Sequence, residues 1–272
     1  MSSYLIVGAS RGLGYAWLQF LSKNPANTVV GLARTPAAVE EQLAKDGITN
    51  IQMIPGDMSS HASMAKAAEL ATPLLPSGLD HLIVNGAYMS QDNAFLAPSD
   101  FSSASKAQEL RDEMYASLNT NVLGVVFPIN AFLPLVLKGA VKKVIVISTG
   151  MADPELSMPA DGSDGVATAV VYSAMKAALN IIVAKYAMEL RAKGVKTLAL
   201  CPGVVLTSAT PPSEKNMAGY QKLFTIFSNK YPHFKGPASP FESIEKQLKV
   251  IDNLTFEDSG KFLSHKSTKE WL

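Results

Sequence analysis

Short apolar runs alternate with longer segments of helical periodicity along nearly the whole of this chain. Each short run is rich in Val, Ile or Leu and lacks strict polar alternation, which is the pattern of strands buried on both faces of a parallel sheet. Such alternation predicts βαβ units with right-handed crossovers. We therefore predict an α/β fold: a doubly wound, Rossmann-like parallel sheet in a three-layer α/β/α domain. The predicted strands are residues 4–7, 28–32, 51–54, 79–84, 143–147 and 195–200, and the predicted helices are residues 13–22, 37–45, 63–71, 106–137 and 173–193.

The length and composition favour a single domain that spans residues 1–272. Doubly wound domains often reach this length. A chain with 47% hydrophobic and 17% charged residues can bury a large core. The net charge is +1 and no cluster of Lys and Arg interrupts the chain, so we expect no nucleic-acid partner.

Cysteine and histidine usage predicts neither a disulfide nor a metal site. Cys201 is the single cysteine, and its place after an apolar run predicts a buried, unreactive thiol. The four histidines lack ligand spacing.

The N-terminal residues lack signal-peptide features, and no run looks long and apolar enough to span a bilayer. We expect a cytoplasmic protein with no membrane partner.

Two regions rich in Gly and Pro, residues 150–171 and 208–240, are predicted to be irregular. Both follow the carboxyl end of a predicted strand, where open α/β sheets bind ligands, so we expect substrate-side loops. Pro128 and Pro134 predict kinks or a break in the long helix. Bulky side chains in the strand-end loops suggest an apolar or aromatic substrate. They are Tyr88, Phe95, Met151, Met158, Met217, Tyr220, Phe224, Phe227 and Phe234.

A glycine-rich turn joins the first predicted strand to the first predicted helix. Glycines let a backbone approach a pyrophosphate, and the helix N-terminus offers unpaired N–H groups to an anion. The spacing G-x-x-x-G-x-G is neither a P-loop nor the commonest dinucleotide fingerprint, but its place in a strand–turn–helix unit favours nucleotide binding. The predicted contacts are Gly8, Ser10, Arg11, Gly12, Leu13 and Gly14.

The end of the second strand favours NADP(H) over NAD(H). An acidic residue usually ends this strand and holds the ribose 2′-hydroxyl, but here Arg34 follows it. A carboxylate would repel a 2′-phosphate, whereas a guanidinium binds it through charge-assisted bonds. Arg11 in the glycine turn is a second candidate contact.

Tyr172 and Lys176 lie at i and i+4, on one face of a predicted helix. A phenol has an unperturbed pKa of about 10, and a neighbouring cation favours its phenolate. Such a pair can act as a general acid and base near neutral pH.

Together these motifs resemble those of the short-chain dehydrogenase/reductase family, in the family's order and over nearly the whole chain. Tyr172 and Lys176 match its catalytic pair, Asn121 matches a helix asparagine that supports a proton-relay water, and Ser148 and Thr149 lie where its serine belongs. The other matches concern the cofactor: Asp57 with its neighbour Met58 at the adenine position, Asn85, Gly86 and Ala87 after the fourth strand, and Pro202, Gly203, Val205 and Thr207 in the segment that cradles nicotinamide.

The resemblance implies an NADP(H)-dependent, carbonyl-reductase-like enzyme that interconverts a small carbonyl and an alcohol. Tyr172 would give a proton to the carbonyl oxygen as hydride arrives from NADPH. Lys176 would hold the nicotinamide ribose and lower the Tyr172 pKa, and Asn121 would anchor a water behind it. A hydroxyl of Ser148 or Thr149 would orient the carbonyl, with the family register favouring Thr149. A homodimer or homotetramer is expected.

Three departures from the family pattern bear on substrate choice. Tyr88 stands where a small residue is usual, Thr149 replaces a second serine, and the loop from Thr149 to Tyr172 is longer than usual. Two alternatives remain open: a non-redox isomerase, cyclase or dehydratase that uses the same tyrosine, and a catalytically silent nucleotide-binding protein.

Overall fold

A computed structural model describes residues 2–207 and 213–272 of the chain. Its strands are β1 (Ser3–Val7), β2 (Thr28–Ala33), β3 (Ile51–Pro55), β4 (His81–Val84), β5 (Lys143–Ile147), β6 (Lys196–Cys201) and β7 (Phe262–Ser264). They pair in parallel in one sheet of order β3-β2-β1-β4-β5-β6-β7. The predicted doubly wound α/β fold is confirmed, while its treatment as a single domain stays a prediction.

Helices cover both faces of this sheet. They are α1 (Gly12–Leu21), α2 (Pro36–Lys45), α3 (His61–Ala71), α4 (Ala104–Ser117), α5 (Gly124–Lys138), α6 (Pro154–Ser157), α7 (Val170–Leu190), α8 (Glu214–Lys230) and α9 (Pro240–Asp252).

The inner strands β1, β2, β4, β5 and β6 bury side chains on both faces, as their continuous apolar runs predict, whereas the edge strands β3 and β7 are only partly buried. In β1, Leu5 and Val7 join one core cluster, whereas Tyr4 and Ile6 join the cluster on the opposite face. Because the strand order reverses between β1 and β4, the carboxyl ends of these strands border the crevice in which such sheets bind ligands.

The long predicted helix is interrupted, although not at its prolines. A π-helical turn, Leu118–Leu123, separates α4 from α5, and α5 continues through Pro128 and Pro134. Pro128 has no N–H for the carbonyl of Gly124, which lies where the π-helical turn ends.

The prediction that residues 208–240 are irregular is wrong for most of that range. Residues 208–212 lie outside the described residues, but α8 and the start of α9 occupy much of the remainder. Prolines flank α8 instead of interrupting it, so the helix can form between them. The sequence also missed β7, which has only three residues.

Residues 150–171 are less irregular than predicted. They contain a 3₁₀ turn, Gly150–Ala152, and the single helical turn α6, at whose start Asp153 accepts a hydrogen bond from the N–H of Glu155. Leu156 and Val166 are buried in a cluster that includes Phe227 of α8. This loop is therefore anchored by packing.

Two helical segments, Ala104–Lys138 and Val170–Lys193, are long and apolar enough to cross a membrane by length and composition alone. The sequence-based statement that no such run exists is therefore wrong. In this fold 50% of the first apolar window and 33% of the second are buried, and core helices of soluble proteins pass the same test. The absence of a membrane partner stays a prediction.

Candidate active site

The glycine turn is packed so closely that no side chain fits at the positions of Gly8 and Gly14. Gly8 has φ +81°, and a Cβ there would lie 2.6 Å from Cα of Gly86. A Cβ on Gly14 would lie 2.0 Å from the carbonyl oxygen of Gly8. The turn thus brings bare backbone against the end of β4, as a phosphate cradle requires.

The N-terminus of α1 faces the same crevice. Arg11 is its N-cap residue, and within the described residues its side chain makes no capping hydrogen bond to the first N–H groups. Ser10 and Arg11 are exposed, whereas Leu13 is buried and anchors the helix. A Cβ on Gly12 would lie 3.2 Å from Cβ of Thr207, so the segment after β6 reaches this turn. The open N–H groups can receive an anion.

Arg34 and Asp57 lie at the ends of the neighbouring strands β2 and β3, and Arg34 is exposed. Asp57 accepts hydrogen bonds from the hydroxyl and the backbone N–H of Ser59, at 2.7 Å and 3.0 Å. These bonds, together with the charge of Arg34, lower the pKa of Asp57. The guanidinium therefore lies near the predicted adenine position, at the edge of the nucleotide crevice.

The segment after β4 forms the next wall of the crevice. The side-chain nitrogen of Asn85 donates to the carbonyl oxygen of Gly8 at 3.2 Å, and the N–H of Gly86 donates to that of Val7 at 3.1 Å. Sδ of Met58 lies 2.3 Å from where a Cβ of Gly86 would be, and Ala87 is exposed. The predicted cofactor residues of this region are thus brought together.

The segment after β6 is held in place by contacts with α9 and with the residue that follows β7. The hydroxyl of Ser243 donates to the carbonyl oxygen of Pro202 at 2.8 Å, and Gly203 has φ +82° with His265 packed against it. Val205 forms a parallel bridge with Ala238. A cavity of about 340 Å³ lies behind this segment, lined in part by His265, and Tyr172 does not line it. It is not the predicted crevice.

Asn121 lies in the π-helical turn and is fully buried. Its Oδ1 accepts from the N–H of Tyr88 at 2.8 Å, and its Nδ2 donates to the carbonyl oxygen of Tyr88 and to the hydroxyl of Ser117, both at 2.7 Å. The side chain therefore holds the backbone of the β4 segment. Both Nδ2 hydrogens are used, so a water anchored by Asn121 would have to bond to the second lone pair of Oδ1 or to the main chain.

Lys176 is 2% exposed, and its Nζ donates to the carbonyl oxygen of Ile147 at 2.7 Å. Its Nζ also lies 5.8 Å from the centre of the Tyr172 ring. Burial lowers the pKa of Lys176 to about 7. The hydrogen bond places the face of α7 that carries both residues at the carboxyl end of β5.

The expected lowering of the Tyr172 pKa by Lys176 is not found. Burial, with a further contribution from the neighbouring Cys201, instead raises the pKa of Tyr172. Loss of hydration around the phenol is the largest cause of this shift, and Nζ of Lys176 is bonded to the carbonyl of Ile147. The phenol is therefore held in its protonated form.

Ser148 and Thr149 differ in what their hydroxyls contact. The Ser148 hydroxyl is buried and donates to Oδ1 of Asn180 at 2.7 Å. The Thr149 hydroxyl oxygen accepts from the N–H of Met151 at 3.3 Å, a bond that leaves its own hydrogen unused.

Cys201 is 3% exposed, so its predicted burial is confirmed, and this burial raises the pKa of the thiol to about 11, in the direction of the predicted low reactivity. Its Sγ accepts from the N–H of Gly150 at 3.1 Å. The 3₁₀ turn after Thr149 packs against α7, the helix that carries Tyr172 and Lys176.

The segments that follow β4 and β6 meet each other, and these two strands flank β5. Nδ2 of Asn216 in α8 donates to the carbonyl oxygen of Gln91 at 3.0 Å, and the Phe95 and Tyr220 rings pack edge to face at 4.8 Å. Among the other bulky candidates, Met158 is 81% exposed, whereas Phe227 is buried. Aromatic side chains therefore join the segments that follow the two strands on either side of β5.

The sequence missed several residues that fix this arrangement. Asn180 could have been proposed from the sequence, because it lies four residues after Lys176 on the same helix face. The structural roles of Cys201 and Ser117 depend on contacts between distant elements, which no local pattern indicates.

Comparisons with known proteins identify the family. The family model for short chain dehydrogenase matches residues 3–218. The short-chain dehydrogenase/reductase AacuF of Aspergillus aculeatus is 40% identical over 274 residues, with 100% of both chains covered. The short-chain dehydrogenase/reductase atnB of Arthrinium sp. is 36% identical over 272 residues, again with 100% of both covered.

Solved structures share the fold. The NADPH-bound carbonyl reductase from chicken fatty liver has a TM-score of 0.74 and 24% identity, over 98% of this chain and 93% of that one. The carbonyl reductase Sniffer of D. melanogaster has a TM-score of 0.73 and 20% identity, over 98% of each chain.

The fold and the crevice define a dinucleotide-dependent enzyme of the doubly wound α/β class. The chain belongs to the short-chain dehydrogenase/reductase family. It is accordingly an NAD(P)-dependent oxidoreductase that acts on small molecules.

Proposed function

We propose that this protein is an NADPH-dependent carbonyl reductase, or in the reverse direction an alcohol dehydrogenase, for a small apolar or aromatic substrate. One observation carries the proposal: the hydrogen bond from Lys176 to Ile147 sets the Tyr172–Lys176 face of α7 against the end of β5, beside Thr149. A proton donor, a cation and a second hydroxyl would then lie at the same edge of the sheet.

The residues of the crevice fit a dinucleotide cofactor. A Cβ on Gly8 would clash with the backbone of Gly86, so the turn packs tightly against the end of β4, and the open N-terminus of α1 suits a pyrophosphate. Asp57 and Met58 would border the adenine, and Asn85 to Ala87 together with Pro202 to Thr207 would enclose the nicotinamide half. When bound, the cofactor supplies the hydride that the carbonyl carbon accepts.

Tyr172 donates its phenolic proton to the carbonyl oxygen, and the O–H bond of the alcohol forms as that of the phenol breaks. Burial keeps the phenol protonated, the state that a donor needs. The Lys176 ammonium stabilises the phenolate that remains. The unused hydrogen of Thr149 bonds to the same carbonyl oxygen and fixes its position.

The preference for NADPH rests on Arg34. Its exposed guanidinium directly follows β2 and lies near Asp57, where a 2′-phosphate would be accessible to it. The NADPH-bound carbonyl reductase from chicken fatty liver, which shares the fold, supports the same cofactor.

We further propose a homodimer or homotetramer in the cytoplasm. Bulky apolar side chains lie exposed on α4 and α7: Tyr115 is 67% exposed, Ile181 64% and Met188 76%. Apolar patches of this kind commonly mark protein interfaces. Sedimentation analysis of the wild type and of the triple variant Tyr115→Lys, Ile181→Lys, Met188→Lys would test the assembly, and dissociation of the variant is expected.

Turnover is tested by following NADPH absorbance with a panel of aliphatic and aromatic aldehydes, ketones and quinones. We expect at least one to be reduced, and Tyr172→Phe to abolish its reduction while NADPH affinity changes little. Lys176→Ala should weaken both, because it would contact the ribose as well as the phenolate. Near wild-type turnover by Tyr172→Phe contradicts the proposed proton donor.

A further inference from the structure

Trp271 packs directly on the turn that follows the candidate catalytic hydroxyl. Its side chain is 3% exposed and stacks on Phe262 of β7, with ring centres 4.3 Å apart and planes 21° from parallel. Its Nε1 donates to Oδ2 of Asp153 at 3.1 Å. The indole therefore bridges the edge strand of the sheet and the start of α6.

Gly150 lacks a side chain where the indole approaches. A Cβ at Gly150 would lie 2.6 Å from both Cβ and Cγ of Trp271, so no other residue fits without displacing the indole. On its other side, the N–H of Gly150 donates to Sγ of Cys201. The turn is thus held between β6 and Trp271.

This turn determines where the Thr149 hydroxyl lies. The N–H of Ala152 donates to the carbonyl oxygen of Thr149 at 3.0 Å, and that of Asp153 to Gly150 at 2.9 Å. The N–H of Met151 donates to the Thr149 hydroxyl oxygen itself. A shift of the turn would therefore move that hydroxyl relative to Tyr172.

The segment that carries Trp271 is anchored as well. The carbonyl oxygen of Leu272 is bonded by Nε2 of His233, at 2.8 Å, and by Nζ of Lys266. Lys266 also pairs with Glu270 at 3.2 Å. Both sequence neighbours of Trp271, Glu270 and Leu272, are therefore held by side-chain contacts.

We propose that Trp271 is a positioning residue for the reaction: acting through Gly150 and Asp153, it holds the 149–153 turn so that the Thr149 hydroxyl meets the substrate carbonyl. This inference rests on the proposed carbonyl reduction. Trp271 lies 118 positions after Asp153 in the sequence, so only the folded chain brings the indole to this turn.

Kinetics of two substitutions test this role with the best carbonyl substrate from the panel and saturating NADPH. Trp271→Phe keeps the stacking but loses the bond to Asp153, and Trp271→Ala loses both. We expect kcat to fall about threefold and at least about tenfold respectively, because sub-ångström misplacement of a reacting group is costly. The Kd of NADPH should stay within about twofold in both, since the turn lies on the substrate side.

Trp17→Phe is the matched control. Trp17 is fully buried in the core on the α1 side, and its Nε1 has no hydrogen-bond partner among the residues that the structure describes. The control should lower Tm while kcat stays unchanged well below Tm. If Trp271→Ala lowers Tm as much as the control and leaves kcat unchanged, Trp271 is only structural and the proposal is overturned.

Amide hydrogen exchange separates this proposal from the proposed function. In Trp271→Ala, protection of the Ala152 and Asp153 amides should fall at least about tenfold, whereas Trp17→Phe should leave it unchanged. Unchanged protection in Trp271→Ala overturns the proposal even if the enzyme reduces carbonyls. If no carbonyl is reduced, the proposed function fails, and the positioning role fails with it even where Trp271 orders the turn.

Discussion

The hydroxyl of Ser148 donates to Oδ1 of Asn180 at 2.7 Å and so fastens the end of β5 to α7, the helix of Tyr172 and Lys176. Because neighbouring residues of a strand point to opposite faces, Thr149 is directed away from this contact. The Ser148 hydroxyl is thus used in a structural hydrogen bond, whereas the Thr149 hydroxyl keeps a hydrogen that it can donate.

We expect Thr149→Val to lower kcat at saturating NADPH by about 100-fold, because loss of a preorganised donor to a reacting oxygen typically costs that much. Thr149→Ser should retain most of the activity, since it keeps the hydroxyl. Ser148→Ala should lower kcat only a few-fold and destabilise the protein by about 1 kcal/mol. The opposite ranking of the valine and alanine variants in steady-state assays would transfer the role to Ser148.

Lys176→Met should inactivate the enzyme and stabilise its fold. Burial lowers the pKa of Lys176 to about 7 in the folded protein, so the unfolded chain binds more protons between about pH 7 and pH 10.5. The lysine therefore destabilises the fold most below about pH 7, and this penalty shrinks as pH rises toward 10.5. We expect a gain of about 3 kcal/mol at pH 7 and a smaller gain at pH 9 in urea unfolding. A variant less stable than the wild type at pH 7 contradicts this view of Lys176.

The sheet could be predicted from the sequence because its inner strands are continuous apolar runs. The ends of those runs also located the glycine turn and Arg34. By contrast, β7 is too short to stand out, and its place depends on pairing between Leu200 and Leu263. Helix α8 was not predicted, because the prolines that flank it in the sequence are also typical of a loop.

The candidate site residues could be proposed from the sequence because they follow strand ends, but their environments could not be predicted from the local sequence. The pattern of Tyr172 and Lys176 predicts a lowered phenol pKa, whereas burial reverses the direction. Burial and the partners of Ser148 and Gly150 arise from elements 32 and 51 positions away. Such contacts form only when the chain is folded.

Arg34→Asp should erase or reverse the preference for NADPH. The carboxylate would repel the 2′-phosphate and could accept a bond from the 2′-hydroxyl of NADH. Titration of both cofactors against both proteins by fluorescence should show NADPH binding at least about tenfold tighter in the wild type, in line with a lost charge-assisted contact of about 1.5 kcal/mol or more. Equal Kd values for the two cofactors in the wild type would refute the assignment of Arg34.

His81 should make the fold sensitive to mild acid. Its ring is 3% exposed and stacks on Tyr4 with centres 4.5 Å apart. Burial, with the charge of Lys143, lowers the pKa of His81 to about 4. Since the pKa of histidine in the unfolded chain is about 6.5, the unfolded chain binds a proton between about pH 6.5 and pH 4 that the folded chain does not bind. Stability from neutral His81 is therefore present above about pH 6.5 and is lost as pH falls toward 4.

We expect this residue to account for about 3 kcal/mol of the stability lost between pH 6.5 and pH 4. His81→Phe keeps an aromatic ring beside Tyr4 but cannot be protonated, so its free energy of unfolding should fall less over that range. Urea unfolding of both proteins at pH 7, 5.5 and 4 gives the comparison directly. Parallel losses in the two proteins would mean that other groups cause the acid sensitivity and that His81 is not its source.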